Sequence, residues 1–140
     1  MSSTTRAQVL VLSGWLLVVL GGVHLVATPF IAAMVRDNAR PESAEWLTKP
    51  MLLNHILVGI LLVSLGGLTA YAGRPAAAGE RWAQVIVRVS ALTVATFLPL
   101  LFFVMGFKYV APLFVLAAAI VFAVTALLLG AAFGGGSSPR

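Results

Sequence analysis

Cysteine is absent from the sequence and charged residues are scarce. The 140 residues include nine lysines and arginines, four aspartates and glutamates, and no cysteine. Without cysteine the chain has no disulfide, thiolate nucleophile, iron–sulfur ligand or CxxC redox pair. No acidic residue lies inside any long apolar run, which argues against a cation exporter driven by a membrane-embedded carboxylate. A Ser, His and acid set for nucleophilic catalysis cannot be assembled from these runs either.

The charged residues are clustered, and long uncharged runs separate them. Apolar residues make up 61% of the chain, enough for about four spans of ~20 residues. A water-soluble enzyme or a disordered tail does not fit this pattern. The net charge of +5 is scattered over loops and termini rather than gathered into a nucleic-acid-binding patch. The sequence therefore predicts a polytopic protein of the lipid bilayer. The uncharged runs cover residues 7–35, 51–73, 89–107 and 109–139.

The order of apolar runs and turns predicts an all-α fold, an integral membrane four-helix transmembrane bundle. We expect one membrane domain over residues 1–133 and a flexible Gly/Ser tail over 134–140. The first run exceeds the usual 7–15 residue core of a signal peptide, so a membrane span is favoured over a cleaved leader. In the first loop, Pro41, Glu42 and Trp46 predict a short interfacial helix. The expected spans are about 7–28, 51–71, 82–105 and 110–133.

The distribution of lysine and arginine predicts the orientation. With the N-terminus inside, five basic residues face the cytoplasm and four face outward, which slightly favours an inner-membrane protein with both termini cytoplasmic. Arg88 lies within the third span and is expected to reach the nearer membrane face with its long side chain. The inner set is Arg6, Arg74, Arg81, Arg88 and Arg140, and the outer set is Arg36, Arg40, Lys49 and Lys108.

The two histidines are the residues most able to carry chemistry. His24 lies five residues before Pro29 and His55 five residues after Pro50, so both are expected roughly 6–8 Å inside the same membrane face. Each begins a stripe of small residues at helical spacing, and the two stripes run in opposite chain directions. The pattern predicts that the stripes face each other or one shared ligand. One stripe is His24, Gly21, Leu17 and Gly14, and the other is His55, Gly59, Leu62 and Gly66.

A redox cofactor is the first interpretation of this pattern. Imidazole is a common axial ligand of haem iron, glycines leave space for a porphyrin, and cations of the first loop suit the propionates. We therefore expect haem b bound by His24 and His55 and lined by Gly14, Gly21, Gly59 and Gly66, with Arg36, Arg40 and Lys49 as propionate partners. A quinone fits the same place, with Asn54 or Thr28 as a second polar group.

Two further interpretations stay open. The histidines and a loop acid, either Asp37, Glu42 or Glu45, form a two-histidine, one-carboxylate set suited to a divalent metal. Alternatively, the histidines and glycines only pack helices in a non-catalytic structural or assembly subunit, whose partners are other membrane subunits or further copies of itself. An electron-transfer or accessory protein is favoured over a free-standing enzyme. The sequence leaves the choice between these functions open.

Overall fold

The computed structural model describes residues 1–38, 40–105 and 112–134. Within these ranges the chain forms four α-helices and no strand, which confirms the all-α prediction. The turn between the third and fourth predicted spans, with Lys108, and most of the tail lie outside the described residues. The helices are α1 (Ser3–Asn38), α2 (Pro41–Ala77), α3 (Arg81–Met105) and α4 (Pro112–Phe133).

Helices α1 and α2 are much longer than the predicted spans. They contain 36 and 37 residues, which corresponds to about 54–56 Å of helix. The Ser2 hydroxyl accepts a hydrogen bond from the Thr5 amide at 3.1 Å and so caps the start of α1. Pro29 lies inside α1 and Pro50 inside α2 without ending either helix.

The prediction of a separate interfacial helix in the first loop is wrong. Residues 41–50 form the first ten residues of α2, which follows directly on the non-helical Arg40, and α1 extends to Asn38. Proline removes one backbone donor and one intrahelical bond, but it preserves the helical φ angle. Pro41 therefore starts α2, while Pro50 leaves the helix continuous. Trp46 lies in this first part of α2 and its side chain is 83% exposed.

The core lies where each helix packs against two neighbouring helices. Helix α1 packs against α2 and α4, and α3 packs against the same two helices. Small side chains dominate this core because they let the helices approach closely. Its fully buried members include Leu10, Leu17, Ala72, Ala76, Ala83, Val87, Ala91 and Leu128.

The core gives the molecule two distinct ends. We call the end that holds Arg6, Arg74 and Arg81 the arginine end; there α2 ends, α3 begins after Gly79, and α4 finishes against α1. Gly79 has a positive φ of 99°, a conformation that glycine adopts without steric cost. We call the opposite part of the α1–α2 hairpin, from His24 and His55 to its tip, the histidine end.

The outer surfaces of the helices are strongly apolar. Large side chains such as Val19, Val26, Phe30 and Leu57 are exposed along α1 and α2. Two helical segments are long and apolar enough to span a membrane, Ser3–Asn38 and Trp46–Ala77, and Ala118–Phe133 is a shorter apolar helix. The chain is thus an all-α protein with at least two candidate membrane spans.

Candidate functional site

The glycine stripes of α1 and α2 lie directly against each other. A Cβ atom added to Gly14 would lie 2.5 Å from the Ala70 backbone nitrogen and 2.7 Å from the Gly66 carbonyl oxygen. A Cβ atom on Gly21 would lie 2.7 Å from the Gly59 carbonyl oxygen. Real Cβ atoms do not approach backbone this closely. The two helices are therefore in backbone contact, and only glycine is accommodated at these positions without a shift of the helices.

The same contact brings the two histidines together. The rings of His24 and His55 are stacked, with centroids 3.7 Å apart and an interplanar angle of 30°. Both side chains are half-buried. Their proximity follows from the antiparallel register, since Gly21 and Gly59 meet one helical turn away. The sequence-predicted juxtaposition of the two stripes is thus present in the structure.

The histidine rings have no hydrogen-bond partner among the described residues. Nε2 of His55 is buried and unbonded. The hydroxyl of Thr28 donates to the His24 backbone carbonyl at 3.3 Å rather than to either ring, and Asn54 is exposed beside His55. A neutral imidazole carries one donor and one acceptor nitrogen, so the pair holds unused hydrogen-bonding capacity.

A haem shared between the two rings does not fit this arrangement. Ligation of one iron by both imidazoles requires the rings on opposite faces of a porphyrin, each directing a nitrogen at the metal. Here the rings stack face to face, and the backbones of α1 and α2 touch at Gly21 and Gly59. The glycines thus bring the helices together and leave no space between them for a macrocycle.

The continuous helices also separate the loop residues from the histidines. Arg36 and Asp37 lie 12 and 13 residues beyond His24 in α1, about 18–20 Å along the helix. Arg40 lies farther still, at the helix break, and Glu42 precedes His55 by a similar distance in α2. The expected propionate partners Arg36 and Arg40, and a metal set including Asp37 or Glu42, are therefore not assembled.

Lys49 is the nearest of the predicted basic partners, six residues from His55 and about 9 Å along the helix. The side chain of Glu45 lies outside the described residues. Among the side chains that the structure describes, no group of three or more His, Asp or Glu is placed to hold a metal ion. What remains at the site is the imidazole pair itself.

The arginine end holds a contact that the sequence did not predict. The Arg6 guanidinium is buried and donates through Nε to the Ala131 carbonyl at 2.8 Å and through Nη2 to the Ala132 carbonyl at 3.3 Å. Arg88 lies over the Phe133 ring, 5.6 Å from its centroid. Both cations stand at the C-terminal end of α4, where the last carbonyls lack intrahelical partners. No residue pattern in the sequence indicates this contact, because its acceptors are backbone carbonyls.

Comparison of the chain with family models, with curated proteins and with solved structures finds no match.

Proposed function

We propose that the chain is a multi-pass inner-membrane protein whose helices form a four-helix transmembrane bundle. The apolar outer surface of α1 and α2 supports this, because such surface is stable in hydrocarbon and costly in water. Charges lie toward the ends of this surface, with Arg6 and Arg74 at one end and Lys49 at the other. Under the positive-inside rule the arginine end faces the cytoplasm and carries both termini.

For the histidine pair we propose contact with a quinone, within a small redox protein or subunit. The single observation that carries this proposal is the stacked, half-buried His24–His55 pair, whose rings have no hydrogen-bond partner among the described residues. In hydrocarbon, an unsatisfied donor or acceptor costs several kcal/mol. A lipid-soluble ligand with carbonyl oxygens would accept the imidazole N–H bond and remove that cost.

The position of the pair suits such a ligand. The histidines lie about 9 Å along the helices from the level of Lys49, where the proposed membrane meets water. A quinone headgroup at this depth would have its chain in hydrocarbon and its ring beside the half-exposed His24. Reduction to a quinol takes two electrons and two protons, so the electrons would come from a redox partner protein and the protons from water near this face.

Binding of a short-chain benzoquinone to purified protein in lipid nanodiscs tests the proposal. His24→Phe and His55→Phe keep a flat ring in the stack but remove the nitrogen atoms, so we expect each to weaken binding on the order of tenfold. Ser64→Ala is the matched control, because Ser64 is an exposed polar residue of α2 away from the histidines. It should leave the affinity unchanged.

Absorption spectra and metal analysis of the same samples identify other occupants. A Soret band that disappears in one histidine variant and persists in the other would show a haem bound by a single imidazole, outside the contact between α1 and α2. Stoichiometric metal lost in the same variants would show a metal site. A folded preparation that carries neither group and binds quinone no better than the two variants would contradict the redox proposal.

A non-catalytic structural or assembly subunit is the second candidate. The backbone contact between the glycine stripes favours it, because this contact accounts for the glycines by packing alone. In that case the protein co-purifies with larger chains in fixed stoichiometry, and both histidine variants retain this association.

A further inference from the structure

A groove at the arginine end lies between the start of α1 and the end of α2. The two helices diverge beyond the contact of Gly73 with Val11, and the space between them amounts to about 490 Å³. This volume lies within the range of small-molecule sites, ~300–1,000 Å³. One wall of the groove is formed by α1 and the other by the last turn of α2. The lining residues include Ser3, Thr4, Gln8, Val11, Arg74 and Ala77.

The chemistry of the groove is that of an anion site with an apolar edge. The Arg74 guanidinium has no hydrogen-bond or ion-pair partner among the described residues. The hydroxyls of Ser3 and Thr4 and the amide of Gln8 add hydrogen-bond donors on the facing wall. Val11 and the alanines form the side that leads toward the apolar part of the helices. No acidic residue lines the groove.

Other charges at this end are already engaged or lie elsewhere. Arg6 faces α4 and donates to its carbonyls. Glu80 accepts a hydrogen bond from the Trp82 indole nitrogen. Arg81 begins α3, outside the groove. Among the side chains that the structure describes, Arg74 is therefore the cation available to a ligand in this groove.

We propose that this groove binds the phosphate group of an anionic phospholipid, with Arg74 as the charged donor and the acyl chains along Val11. The inference rests on the proposed membrane insertion, because only then does the groove open at the depth of the headgroups. A guanidinium binds phosphate through two parallel N–H bonds, stronger than bonds between neutral groups. The groove gives this arginine a binding role beyond helix-end anchoring.

Native mass spectrometry of the detergent-solubilised full chain, titrated with phosphatidylglycerol and with phosphatidylcholine, tests the inference. We expect the wild-type protein to prefer phosphatidylglycerol about tenfold. Arg74→Gln removes the charged donor and should abolish this preference. Ala77→Leu keeps every charge but fills the groove, and it should weaken binding to a similar extent.

Arg81→Gln is the matched control, since it removes one positive charge from the same end without touching the groove. Equal losses of the phosphatidylglycerol preference in Arg74→Gln and Arg81→Gln would show that the preference comes from general charge attraction. That result would overturn the inference. Undiminished binding in Ala77→Leu would also overturn it. Inorganic phosphate, added at the same concentration as the lipid, should not displace the bound lipid. Displacement of the lipid by phosphate would show that the groove binds a soluble anion and would overturn the inference.

Alkaline extraction of membranes keeps this inference separate from the proposed function. A wild-type chain that stays in the membrane but shows no preference for phosphatidylglycerol refutes only the lipid site. A chain released into the soluble fraction refutes the membrane proposal itself.

Discussion

The arginine end and the histidine end are held together by different contacts. At the arginine end, Arg6 binds the last carbonyls of α4, and fully buried residues such as Leu10 and Ala76 fill the space between helices. At the histidine end the defining contact is the stacked His24–His55 pair, whose half-buried rings have no hydrogen-bond partner in the described part of the chain. Buried, satisfied polar groups stabilise a fold, whereas unsatisfied ones mark positions that favour a ligand. We therefore assign stability mainly to the first region and the proposed quinone contact to the second.

The largest difference in unfolding free energy between the two ends is expected when alanine replaces a glycine of the stripes. Gly14→Ala places Cβ against backbone of α2 and should lower the free energy of unfolding by about 3 kcal/mol. Gly59→Ala places Cβ 2.7 Å from the Leu25 side chain, which can move, so a loss of about 1 kcal/mol is expected. Unfolding in mixed micelles, followed by circular dichroism, measures both values.

Gly22→Ala is the control for these two variants, because nothing lies within 4 Å of an added Cβ there. It should be neutral or slightly stabilising, since alanine favours helix over glycine. A loss at Gly22 equal to that at Gly14 would contradict the assigned helix contact.

Removal of the Arg6 side chain is expected to have the next largest effect. Arg6→Ala leaves the carbonyls of Ala131 and Ala132 without their donor and should lower the unfolding free energy by about 2 kcal/mol. Arg81→Ala, at the same end but without a partner among the described residues, should change it by less than about 0.5 kcal/mol. Equal effects of the two variants in the same unfolding assay would show that the Arg6 hydrogen bonds do not stabilise the fold.

Replacement of a histidine should affect binding more than stability. His24→Leu loses the ring stack and is expected to cost only about 1 kcal/mol in the absence of ligand. A short-chain benzoquinone at ten times its dissociation constant should stabilise the wild-type protein by about 1.4 kcal/mol. The variant, which is expected to bind about tenfold more weakly, should gain only about 0.4 kcal/mol at the same quinone concentration. Equal stabilisation of both proteins by the quinone would show that it binds elsewhere.

The smallest effect is expected from the buried hydroxyl of Ser13. Its oxygen has no hydrogen-bond partner within the residues that the structure describes, although the side chain is 1% exposed. Ser13→Ala removes an unsatisfied polar atom and should therefore be neutral or stabilising by up to about 1 kcal/mol. Thr69→Val is a useful contrast, since the Thr69 hydroxyl donates to the Leu65 carbonyl at 2.7 Å. A marked loss in Ser13→Ala would reveal a bond that this hydroxyl makes in the membrane.

Local periodicity was sufficient to predict the helices and the meeting of the two stripes. Glycine and histidine recur at helical spacing, and the antiparallel order of α1 and α2 aligns them. The first loop was mispredicted because the expected spans stop at residue 28 and resume at residue 51, next to two prolines, whereas Pro29 and Pro50 lie inside continuous helices. That continuity also separated Arg36 and Asp37 from the histidines.

The role of Arg6 could not be predicted from local pattern. Its partner Ala131 lies 125 residues away. The acceptor is a backbone carbonyl, which every residue type carries, so the sequence around Ala131 does not identify it. The groove beside Arg74 was missed for a similar reason, because it depends on the angle at which two helix ends diverge. Both features are properties of helix placement rather than of periodicity.

The bond from Arg6 to the end of α4 also imposes an order on assembly. The ribosome releases α1 before α4 because synthesis proceeds from the N-terminus. The Arg6 guanidinium therefore has no α4 carbonyl to bind until the intervening helices have been made. The α1–α2 hairpin can close early through its glycines, but the α1–α4 contact can form only after nearly the whole described chain has emerged. Until then the Arg6 guanidinium lacks the two carbonyl acceptors that it has in the complete fold.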